Sequence, residues 1–225
     1  MDDQRPQSPR RLLKVLHQWD LRWQEQFRRE SRLLTHLSRS PLKRGSTVLL
    51  SPTPFPYSTA ADLIEFDPMA SGISDPMGIV MDCLPGRSLG DVVEASGALS
   101  WGQFQPLFRQ LIQLVRYLHR HQMVHGDIKP DNIMIHRNQL SLVDFGAAGF
   151  VGEHSPQTSL GFCPLAIANR PLAYQRDWYA LAWTCIHLLT GQHPIELIRS
   201  GADWQTVVPK LPPALKQRMV TWMMI

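Results

Sequence analysis

Cysteine is scarce in this chain: three in 225 residues, Cys83, Cys163 and Cys185, widely spaced and with no C-x-x-C. That excludes a disulfide-stapled scaffold and argues against a structural zinc site. Charge is sparse as well. Asp, Glu, Lys and Arg make up 19% of the chain, below the average of about 25%, and the net charge is only +4. No basic excess points to nucleic acid, and none is expected as a partner. Long apolar runs are missing too. None reaches the roughly 18 residues needed to cross a bilayer, so no membrane partner is expected. The longest candidate, around residues 179–189, is interrupted by Thr184 and His187 and reads as a buried helix. The opening, MDDQRPQSPRR, has no apolar core behind its charges, so no secretory leader is expected. What remains is a soluble protein of a reducing, cytoplasmic compartment. Its 44% apolar content can build a sizeable core in one large domain or two small lobes.

The pattern along the chain gives an α+β class, with strands early and helices late. Residues 1–10 are polar and read as a loose terminus. The short apolar run RLLKVLH over residues 11–17 suits a strand. Over residues 20–37, Phe27, Leu33, Leu34 and Leu37 recur near helical spacing with charges between them, which predicts an amphipathic helix. Residues 38–76 carry six prolines and many serines and read mainly as loop, with a strand conceivable at 47–50. GIVMDCL, residues 78–84, reads as a buried strand ended by Pro85-Gly86. Ser100 caps a predicted helix over residues 101–121, and two short strands follow at 132–136 and 140–144. A helix from about Gln175 to Gly191 and a last one from Pro213 complete the pattern.

Residues 125–146 read HGDIKPDNIMIHRNQLSLVDFG. This resembles the catalytic loop and metal-binding segment of protein kinases, H-R-D-x-K-x-x-N followed by D-F-G, closest in style to the eukaryotic-like (Hanks-type) Ser/Thr kinases of bacteria. Eight letters recur at fixed spacing: His125, Asp127, Lys129, Pro130, Asn132, Asp144, Phe145 and Gly146. At about 5% usage per letter, a chance match in this chain is on the order of 10⁻⁸. The spacing suits phosphoryl transfer, which needs a carboxylate near the attacking hydroxyl, a cation at the moving phosphate, and metal ligands. The resemblance makes Asp127 the base and Lys129 the phosphate-side cation. It makes Asn132 and Asp144 oxygen ligands of Mg²⁺ or Mn²⁺, with ATP as the phosphoryl donor and a protein as the substrate.

The same resemblance places other residues. Lys14 in LLKVLH is similar to the strand lysine of V-A-I-K, and Glu30 in FRRESRLL to the helix glutamate that pairs with it. GIVMDCLPGRSL resembles the hinge between lobes, with Met81 as gatekeeper and the backbones of Asp82 and Leu84 facing adenine. Asp177 resembles the aspartate that starts the central helix of the second lobe and braces the catalytic loop. Phe145, His125 and Leu34 are expected to stack. The implied architecture is a bilobal protein-kinase-like fold over residues 11–225. It has a truncated N-terminal β-lobe (11–82), a hinge (83–84) and a mostly helical C-terminal lobe (85–225).

Departures from the family pattern qualify the function. No glycine stands among the 13 residues before Lys14, so the Gly-rich phosphate loop is expected to be missing. Gly126 replaces the Arg of H-R-D, and Ser159-Leu160-Gly161-Phe162 is followed by Cys163-Pro164-Leu165 where A-P-E belongs. With 48 residues after Asp177, the C-terminal end is also expected to be short. The expected function is ATP- and Mg-dependent phosphorylation of protein Ser/Thr. The alternatives are a weak or inactive pseudokinase serving as a binding or scaffold module, and a small-molecule kinase of the aminoglycoside or choline type. Lys129 opposes the last.

Overall fold

The computed structural model describes residues 11–15, 21–39, 62–65, 77–155, 159–208 and 211–224. The described residues divide into two compact units, one ending at Pro85 and the other starting at Gly86. Among the described residues no helix is long and apolar enough to cross a membrane.

The first unit holds β1 (Arg11–Val15), α1 (Leu21–Arg39), β2 (Asp62–Glu65) and β3 (Met77–Asp82). The strands form one antiparallel sheet in the order β1-β3-β2. Lys14 lies opposite Ile79 and Leu12 opposite Met81. The apolar spacing predicted for α1 is realised, since Phe27, Leu33, Leu34 and Leu37 are all buried. β2 corrects the sequence reading, which had loop there. DLIE is too short to announce itself, and its ladder with β3 decides its state. The strand expected at 47–50 lies outside the described residues.

The second unit is mostly helical. Its elements are β4 (Arg87–Ser88), α2 (Leu89–Ser96), α3 (Trp101–Arg120), β5 (Met123–Val124), β6 (Ile133–His136), β7 (Gln139–Leu142) and β8 (Gly149–Phe150). Then come α4 (Leu165–Ala168), α5 (Tyr174–Thr190), α6 (Pro194–Ser200), α7 (Trp204–Val207) and α8 (Pro213–Met223). Two helices start on reciprocal caps. Ser88 and Asp91 bond each other's backbone at α2, and Ser100 and Gln103 do so at α3. The Ser88 donors hold the Asp91 carboxyl below the usual range.

α3 buries one stripe, with Phe104, Leu111, Leu114, Val115 and Leu118 almost inaccessible. α5 is buried on nearly all sides, from Arg176 and Asp177 through Leu188, and so forms the unit's central helix. The small sheets are antiparallel: β4-β6-β7 and β5-β8. Arg137 and Asn138 connect β6 to β7, both at positive φ, as the twist of a two-residue hairpin requires. Gln110 of α3 fixes that hairpin by donating to the Asn138 carbonyl (2.9 Å) and accepting from the Leu140 amide (3.0 Å). The second strand of this hairpin ends at Leu142. The sequence reading carried it to Asp144, but Asp144 is left-handed (φ 59°, ψ 78°) and cannot continue a ladder.

Phe104 has no exposed surface. Phe104→Ala is expected to cost about 3–5 kcal/mol, from lost burial plus the cavity left behind. Urea unfolding followed by tryptophan fluorescence should show a much lower midpoint with an unchanged m-value.

Candidate active site

The loop between β5 and β6 is shaped by its contacts with α5. Asp177, in the first turn of α5, has no exposed surface. Its Oδ2 accepts the His125 amide at 3.0 Å and its Oδ1 the Gly126 amide at 2.9 Å. Two turns on, Thr184 donates its hydroxyl to the Ile128 carbonyl at 3.3 Å. Residues seven apart share a helix face, so one side of α5 carries both anchors. His119 of α3 adds a third donor, its Nε2 lying 2.9 Å from Asp177 Oδ2. Sequence reasoning missed both His119 and Thr184. They sit at ordinary helix positions, and only packing gives them a partner.

Gly126 takes φ +80°, and a Cβ there would fall 2.6 Å from the Ala147 carbonyl oxygen. A side chain is excluded twice, by the torsion and by the contact. The His125 ring meets the Phe145 ring at 4.9 Å, and both residues are buried. His125 Nε2 lies 3.2 Å from the Val143 carbonyl, which can only accept, so the ring proton belongs on Nε2. Leu34, expected in the same stack, belongs to α1 of the first unit.

Asp127 is held through one of its two carboxylate oxygens. Its Oδ2 receives Lys129 Nζ at 3.0 Å and Asn132 Nδ2 at 3.0 Å. Its Oδ1 is buried and has no hydrogen-bond partner. Lys129 is fully extended (φ −155°, ψ 164°), which turns its side chain to the same side as that of Asp127. Its ammonium also donates to the Ser159 hydroxyl at 2.7 Å, tying the loop to the segment after β8. Asn132 closes a tight turn over Pro130–Asn132 and donates a second time, to the Asp127 carbonyl at 2.9 Å. The Val143 amide donates to the Asn132 carbonyl at 3.0 Å, which holds the residue before Asp144 against the loop.

In the first unit, Lys14 Nζ lies 2.9 Å from both oxygens of Glu30. Glu30 is 3% exposed and Lys14 37%. The 16-residue separation is closed by setting α1 against the sheet. Met81 and Asp82 end β3, opposite Leu12 and Arg11, and Leu84 follows two residues on, half-buried.

A model of the protein kinase domain matches residues 55–217, about three-quarters of the chain. The chain belongs to the protein kinase domain family. It is similar to a serine/threonine-protein kinase named PknA of Nostoc, 35% identical over 133 residues, covering 53% of this chain and 23% of that one. It is also similar to serine/threonine-protein kinase B of Synechocystis, 31% identical over 165 residues, covering 63% and 29%. Serine/threonine-protein kinase 1 of a Lymantria dispar nuclear polyhedrosis virus is 32% identical over 124 residues, covering 53% and 44%. The chain thus spans less than half the length of these relatives. Lys14 and Glu30 lie outside the stretch matched by the family model, so their pairing is an independent observation.

Gly126→Ala should destabilise the second unit by about 1–3 kcal/mol, from a left-handed torsion and a sub-contact carbonyl. Thermal unfolding of wild type and variant checks this. An unchanged midpoint would mean that the loop relaxes at no cost.

Proposed function

We propose that this chain transfers the terminal phosphoryl group of ATP to serine or threonine hydroxyls of proteins, with Mg²⁺ or Mn²⁺. The observation that carries this reading is the state of Asp127. One carboxylate oxygen is saturated by Lys129 and Asn132, and the other is buried without a partner. A carboxylate held in place by a lysine and an asparagine of its own loop suits the task of orienting a hydroxyl and taking its proton.

The residues present also suit a divalent cation. Asn132 spends its amide nitrogen on Asp127, which leaves the amide oxygen for a hard cation, and Asp144 contributes a carboxylate from the adjoining segment. Bound Mg²⁺ would neutralise charge developing on the phosphates. Asp127 then orients the acceptor hydroxyl and takes its proton on the carboxylate. Lys129 supplies a cation beside that hydroxyl, and its bond to Ser159 fixes the substrate-side segment. In the first unit, Lys14 held by Glu30 would take the nucleotide's α- and β-phosphates. The peptide groups of Asp82 and Leu84 would take its adenine edge, with Met81 beside it.

Asp127→Asn keeps the shape but cannot accept a proton as a carboxylate does. Loss of a general base typically costs about 10²–10⁴ in rate, or roughly 3–5 kcal/mol of barrier. Transfer of labelled phosphate from millimolar ATP to a generic basic protein should be present in wild type and lost in the variant. If both are silent while wild type still binds nucleotide or a protein partner, the chain is a non-catalytic kinase-like module. Asp144→Ala gives a second check. Nucleotide affinity measured by calorimetry should depend on Mg²⁺ in wild type and lose most of that dependence in the variant. Equal wild-type affinity with and without metal would remove the metal from the proposal.

A further inference from the structure

Arg176 directly precedes Asp177 in the first turn of α5, and it is only 2% exposed. A buried guanidinium is costly unless its N–H groups are used. One η-nitrogen donates to the Ala168 carbonyl at 3.2 Å. Ala168 ends α4, and the last carbonyls of a helix have no partner within it. The same guanidinium lies beside Cys163. Burial pushes that thiol up, and the Arg176 charge draws it partly back down. One side chain therefore bonds the end of the segment at Ala168 and acts on its start through the charge felt by Cys163. The start of this stretch is fixed separately, through Lys129 to Ser159 and a bridge between Leu160 and Cys163.

Consecutive helix residues point about 100° apart and serve different neighbours. Asp177 faces the catalytic loop, and Arg176 faces the segment that follows Ser159. In the kinase pattern an acidic residue of A-P-E stands in this stretch, but here the sequence is Cys163-Pro164-Leu165-Ala166. The buried cation of α5 reaches to the segment's backbone instead.

We propose that Arg176 is a positioning residue that seats the Cys163–Ala168 segment on α5, and so sets how a protein substrate is held without affecting nucleotide handling. The substrate part of this proposal rests on the kinase reading; the seating does not.

The test uses the full chain carrying Cys83→Ser, because Cys83 is exposed while Cys163 and Cys185 are buried. Arg176→Met keeps length and volume and removes the donors; Arg176→Lys keeps charge and one donor group. Alkylation of Cys163 by iodoacetamide, followed by mass spectrometry, should be slow in the parent and at least about tenfold faster in Arg176→Met, with Arg176→Lys between them. Removing the guanidinium makes the thiol harder to ionise, which alone would slow alkylation, so acceleration reports an opened segment. Cys185, fully buried in α5, should not change. Should Arg176→Met fail to fold, Arg176→Lys carries the test alone. An unchanged Cys163 rate in a folded variant overturns the proposal, as does equal acceleration of Cys185. In kinetics, the KM for protein substrate should rise about tenfold while the KM for ATP stays within about twofold. A fall in kcat with both KM values unchanged also overturns it. A parent with no phosphotransfer defeats the kinase reading, yet the alkylation result still decides the seating.

Discussion

A carboxylate with no exposed surface stands at the start of α5 and accepts two consecutive backbone amides, those of His125 and Gly126. The shape of the loop between β5 and β6 depends on that interaction. A buried carboxylate is tolerated only where donors surround it, and here His119 supplies a third. With the two amides fixed, Gly126 must be left-handed, His125 turns its ring onto Phe145, and Asp127 follows in a set orientation. The central helix thus acts as a ruler. Asp177 and Thr184 hold the loop at two points, two turns apart on one face.

The charges around Asp127 are arranged economically. Lys129 bridges a carboxylate and the Ser159 hydroxyl, and Asn132 bonds both the side chain and the backbone of Asp127. The contacts of Lys129 and Asn132 with the carboxylate fall on Oδ2, while Oδ1 is buried. Such a network is stiff because every member is held by at least one backbone or second side-chain contact. A group arranged this way is already oriented before any substrate arrives, which is where most of the benefit of a preorganised site lies.

The two units carry their chemistry differently. In the second, the candidate site is a loop tied at several points to buried helices. In the first, it includes the ion pair of Lys14 with Glu30, set by a strand and an amphipathic helix. The family match covers residues 55–217, and that pair lies outside it. A strand lysine and a helix glutamate 16 residues apart have no local reason to meet, and the burial of Glu30 shows that their meeting is part of the packing.

The sequence by itself determined the parts governed by local chemistry. Helical spacing announced α1 and α3, serine caps marked helix starts, and the fixed spacing of Asp127, Lys129 and Asn132 placed them on one loop. It also determined the family, because eight residue types at set distances are rarely met by chance. Tertiary structure alone decided the rest. β2 is a strand only because β3 is beside it, and Asp144 leaves the ladder because its backbone turns left-handed. His119, Thr184 and Arg176 look like ordinary helix residues until α3, α5 and the loops are packed together. A hydrogen bond between residues 51 to 58 positions apart, such as those that Asp177 makes, leaves no periodic trace in the chain. It exists only once burial has brought donor and acceptor within about 3 Å and removed the water that would otherwise serve both.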